Sequence, residues 1–156
     1  MSLACCCAIA CHAFAWQMRA PLGGTLLLYV EPFPVKSGSQ KLREDLIAQL
    51  RRLNSFSIVS DQSSAAVILS GNGEIWISGY RSLNPRSGRS PSHGTPVYAG
   101  YLSVELKDTK GETLWSCLAT PETGSERISN DLAKRIAKHL AEAMEQGDVQ
   151  SAAPRQ

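Results

Sequence analysis

Residues 67–77 read VILSGNGEIWI, two glycines around an asparagine between apolar runs. The stretch has two chemical readings, a phosphate cradle or a strand with little room for side chains. A dinucleotide cradle needs a third glycine three residues after the second, followed by a helix whose N-terminus meets the phosphates. That position is Trp76, and the sequel alternates as a strand does, Ile75 and Ile77 against Trp76. The Gly-Lys-Ser/Thr of a P-loop is absent. The stretch therefore reads as a strand, and its glycines as a bulge or the close approach of another chain segment.

The other elements follow from hydrophobic period. Residues 26–30 are a short apolar run of the kind that is covered on both faces, stopped by Pro32 and Pro34. Leu42, Leu46, Ile47, Leu50 and Leu53 recur at helical spacing, after Ser37 and Gln40 in the spacing of a capping box. Phe56 and Ile58 mark a second strand. In residues 97–119, Leu102, Val104 and Leu106 alternate with Tyr101, Ser103, Glu105 and Lys107. Trp115, Cys117 and Ala119 then alternate with Leu114, Ser116 and Leu118. Asp108 to Gly111 is turn chemistry between these halves of a hairpin. Ile128, Leu132, Ala133, Ile136, Ala137, Leu140 and Met144 form the stripe of a last helix, with Thr123 and Glu126 as a capping box and Asp131–Arg135 as an i,i+4 pair.

The order is strand, helix, strand, strand, loop, strand, strand, helix. Two amphipathic helices and one sheet make an α+β fold. The expected form is a two-layer sandwich, a mixed sheet of about five strands with both helices on one face. Residues 25–146 form the single domain, 19–24 a linker and 147–156 a disordered polar tail.

The 156 residues suffice for one core without staples. A net charge of +2 is too mild for a nucleic-acid reader, so no nucleic-acid partner is expected. Four of the five cysteines, Cys5, Cys6, Cys7 and Cys11, crowd the start, which excludes a disulfide framework. Residues 1–18, MSLACCCAIACHAFAWQM, hold an apolar core of export-signal length, with Ala13-Phe14-Ala15 as a small-x-small cleavage site. Ala8-Ile9-Ala10-Cys11 resembles a lipobox, which makes Cys11 a lipidation site and gives a membrane attachment. No lysine or arginine precedes Arg19, which leaves a second reading, a cytoplasmic regulatory or sensor domain with a misassigned start. A metal site on the cysteines and His12 lacks the second ligand cluster that structural zinc uses.

FSIVSDQSSAAVILSGNGEIW, then LSVELKDTKGETLWSC, then an amphipathic helix, resemble the N-terminal domain of TolB and the LpoB and CsgG kind of bacterial envelope lipoproteins. The matching positions are Phe56, Ala65 to Gly71 and Leu106 to Ser116. Ala66 stands where that group usually has aspartate, and the TolB propeller is absent. The resemblance implies a non-catalytic exported module, periplasmic or associated with the outer membrane, that binds an envelope protein or self-assembles.

No cofactor or catalytic set emerges. His93 lies in the loop at 80–96 and His139 on the last helix, neither placed as a base beside a nucleophile. Cys117 reads as a small core residue. The loop at 80–96 carries Arg81, Arg86, Arg89 and His93. Arginine forks suit carboxylates and phosphates, so these four residues are the candidate interaction loop.

Overall fold

The computed structural model describes residues 25–81 and 94–151, and of residues 146–151 the backbone alone. The elements are β1 (Leu26–Val30), α1 (Ser39–Leu50), β2 (Phe56–Val59), a short 3-10 turn (Gln62–Ser64), β3 (Val67–Arg81), β4 (Thr95–Asp108), β5 (Thr113–Ala119) and α2 (Ile128–Ser151). They form one mixed sheet in the order β2-β1-β3-β4-β5, with β1 parallel to β2 and β3 and the other pairs antiparallel. The fold is the expected α+β sandwich.

The inward row of each strand meets the helical stripes. Leu28 and Val30, Val67 and Leu69, Leu102, Val104 and Leu106, and Ala119 pack against Leu42, Leu46 and Leu50 of α1 and Ile128, Leu132, Ala133, Ile136 and Leu140 of α2. Burying one such side chain contributes roughly 1.5–3 kcal/mol. The helices also touch each other, and Gln49 Nε2 donates to Asn130 Oδ1 at 2.8 Å across their seam. With both helices on one face, the other stays open. Leu27 is 40% exposed and Leu118 64% exposed on it. The run at 26–30 is thus covered on one side, where its apolar continuity predicts two.

The glycines of residues 67–77 mark a close approach, not a bulge. Register between β3 and β4 is unbroken from Val67 to Ile77, and the irregularity falls at Ile77/Gly79. A Cβ on Gly71 would collide with the ring of Phe33, and one on Gly73 would lie 2.7 Å from Leu42 Cδ1. The two glycines therefore let the chain after β1 and the first turn of α1 settle onto the sheet.

Four local expectations are corrected. Ser37 does not cap α1; Gly38 is the N-cap, in left-handed backbone at φ 72°, with no side-chain cap bond. Ser37 instead gives its carbonyl to Ile75 N at 2.9 Å. Thr123 does not cap α2, which starts at Ile128 after Ser125 O accepts from Ile128 N at 3.1 Å. Arg135 pairs with Glu122 at 2.6 Å rather than with Asp131. Last, α2 runs to Ser151, past Gly147, where the sequence reading starts a polar tail.

The β4–β5 turn forms as expected. The Asp108 carboxylate accepts from Lys110 N at 2.9 Å and Glu112 N at 2.8 Å, and Gly111 takes φ 86°. No helix among the described residues is long and apolar enough to cross a membrane.

Candidate functional site

The arginine loop is narrower than its composition indicates. Tyr80 and Arg81 belong to β3, paired with Pro96 and Thr95 of β4. Arg81 is exposed at the end of that strand. Arg86, Arg89 and His93 lie outside the described residues, as do Cys11 and the export segment. His139 is exposed on α2, its Nδ1 3.3 Å from Glu142 Oε2. Cys117 is half-buried against the core. Among the described residues no three His, Cys, Asp or Glu side chains gather to hold a metal ion.

What the fold does assemble is a groove at one end of the helical layer. β3 and β4 outrun their neighbours. β1 pairs with β3 only as far as Val30↔Leu69, and β5 with β4 only as far as Ala119↔Leu102. Beyond those points each strand edge is held by a loop. Ser37 O accepts from Ile75 N at 2.9 Å on one side, and Gly124 O from Tyr98 N at 3.0 Å on the other. These two bonds bring the starts of both helices over the same stretch of sheet.

The groove has a volume of about 340 Å³, with Ile75, Trp76, Ile77 and Tyr98 from the strands, Gly38 and Lys41 from the α1 side, and Glu126 and Ser129 from the α2 side. Ile77 is 48% exposed on the helical face, whereas the Trp76 side chain, 44% exposed, alternates onto the open face. The first turn of α1 carries no acidic residue and no side-chain cap; Ser39 N–H donates to Lys36 O at 3.1 Å, which leaves the N–H groups of Gln40 and Lys41 and the positive end of the dipole facing outward. Lys41 is exposed there, its Nζ 3.5 Å from Asp45 Oδ2. Ser129 is 2% exposed, and its hydroxyl has no hydrogen-bond partner. Periodicity alone could not reveal this site, because two loop-to-strand bonds create it.

A second polar cluster lies across β3 and β4. Lys36 Nζ donates to the Tyr101 hydroxyl at 3.0 Å. That bond, aided by charge on Tyr101 and Glu74 and opposed by desolvation, holds the ammonium above its ordinary pKa. Nζ is 5.7 Å from the ring centroid, so the hydroxyl rather than the ring face is its main partner.

No family model matches the sequence, and no curated protein matches it. Among solved structures the chain is similar to a Xanthomonas campestris protein of the family DUF330, at 10% identity and TM-score 0.50 over 83% of this chain and 89% of that one. It is also similar to PelC from Paraburkholderia phytofirmans, a dodecamer, at 20% identity and TM-score 0.47 over 77% and 86%. Rare lipoprotein B from Shewanella oneidensis matches at 12% identity and TM-score 0.40 over 81% and 99%. At these identities the likeness is one of fold, carried by the DUF330 protein, and it singles out no family.

Proposed function

We propose that this chain is a non-catalytic, exported module of the bacterial envelope that works by binding another envelope protein or by self-assembly. The observation that carries the binding half is the groove, where Ile77 stays about half exposed beside Ile75 and Tyr98 at the start of α1. Apolar side chains gathered at a concave site are typical of recognition surfaces. The export half rests on residues 1–18, with Cys11 as the acylated residue or Ala15 as the last residue before cleavage.

The test is expression of the full chain in a Gram-negative host, followed by mass spectrometry of its N-terminus and crosslinking in the envelope fraction. A processed or acylated N-terminus with a crosslinked protein partner is the expected result. An intact N-terminus in the cytoplasm overturns the reading in favour of the cytoplasmic domain. Repeating the capture without residues 82–93 measures what Arg86, Arg89 and His93 contribute.

A further inference from the structure

We propose that the groove between the two helix starts binds a peptide that carries a carboxylate beside an apolar side chain. The carboxylate would sit on the first turn of α1 and the apolar side chain on Ile77 and Tyr98. This rests on the reading of the domain as a binding module and names the chemistry of its partner.

Three observations converge. First, α1 starts without an acid or a side-chain cap, and with Ser39 N–H held by Lys36 O it offers an anion the N–H groups of Gln40 and Lys41 and the dipole. Lys41 stands in the same first turn and is open to solvent, its ammonium shared with Asp45 Oδ2 at 3.5 Å. Second, Ser129 lines the same groove, is 2% exposed and keeps a hydroxyl without a partner. A buried donor left unpaired is costly, and a ligand oxygen would relieve it. Third, the strand side chains that face the groove are apolar, Ile75, Ile77 and Tyr98. An inorganic anion would leave them uncovered, whereas a peptide side chain would cover them.

Glu126 is the one carboxylate among the groove's residues, and it stands on the α2 side, across from Lys41. The two opposite charges give the ligand a direction. Its carboxylate faces α1, and its backbone N–H groups face Glu126.

The test uses the full chain, ¹⁵N-labelled, titrated with acetyl-Leu-Glu-Leu-amide and with acetyl-Leu-Gln-Leu-amide. The Glu peptide is expected to shift the amides of Gln40, Lys41 and Ser129. It should bind about threefold more tightly than the Gln peptide, with the difference shrinking at roughly 0.5 M salt. Lys41→Glu should remove the preference. Ser129→Ala should weaken binding of the Glu peptide without lowering Tm, because it deletes a hydroxyl that makes no bond within the fold. Equal binding of the two peptides, or shifts confined to the open sheet face around Leu27 and Leu118, would overturn the proposal. The envelope crosslinking does not use these peptides. A negative titration with a positive crosslink therefore removes the acidic-peptide class and leaves the binding module standing.

Discussion

The ring of Phe33 occupies the space where a side chain on Gly71 would stand. Phe33 follows β1 by three residues and Gly71 sits within β3, so this contact locks the exit of one strand to the middle of another. Gly71→Val is expected to destabilise the domain by about 2 kcal/mol, the cost of overpacking a filled site. Urea unfolding measures it. Combining the change with Phe33→Ala should cost less than the two single changes added together, since the valine then enters vacated space. Strict additivity would show that the two residues do not meet.

Gln49 and Asn130 hold the helices together across a partly buried hydrogen bond of 2.8 Å. Gln49→Ala is expected to cost about 1 kcal/mol, with a coupling to Asn130→Ala of similar size in a double-mutant cycle. Zero coupling would mean that side-chain packing alone joins α1 to α2.

Asp108 holds two backbone N–H groups of the β4–β5 turn. Asp108→Ala should cost about 1 kcal/mol and speed amide exchange at Lys110 and Glu112, while Asp108→Asn keeps an acceptor and costs less. Unchanged exchange in the alanine variant would contradict the turn geometry.

Asp61 titrates in a defined direction. Its carboxylate accepts hydrogen bonds from the Ser63 hydroxyl and from Ser63 N, which hold its pKa below the ordinary aspartate value. A depressed carboxylate pKa contributes stability above the unfolded value, and that contribution is lost as pH falls through the folded value. A carboxyl ¹³C titration should give a midpoint below that of a model aspartate, and Ser63→Ala should raise it. A midpoint at the ordinary value would remove the local turn bond.

Element order was legible because the apolar periods of α1, α2 and the hairpin are long and consistent. Where helices begin was not. Ser37 and Gln40 match a capping box, yet β3 claims the Ser37 carbonyl through Ile75 N and Gly38 takes the cap position. Thr123 matches equally well, yet Gly124 is tied to Tyr98 and α2 starts later. In both places a long-range backbone bond overrides a short motif, and no local pattern records it. Leu27 shows the same limit, because an unbroken apolar run does not tell how many faces the helices will cover. The groove is a product of those same two bonds. Its residues Lys41, Tyr98 and Ser129 carried no signal in sequence beyond their places in a helix or strand.

The mismatch in strand length divides the β3–β4 ribbon by stability. Its lower half, from Val67↔Asp108 to Leu69↔Leu106, has strands on both sides. Its upper half is steadied at its edges by the backbone bonds to Ser37 and Gly124. Amide protection should therefore fall along the ribbon, with the upper half opening as a separate cooperative unit at a lower free energy than the core. A ligand that bridged the two helix starts would close that unit, so occupancy of the groove would be readable as slower exchange along the upper ribbon, at Ile77 and Val97.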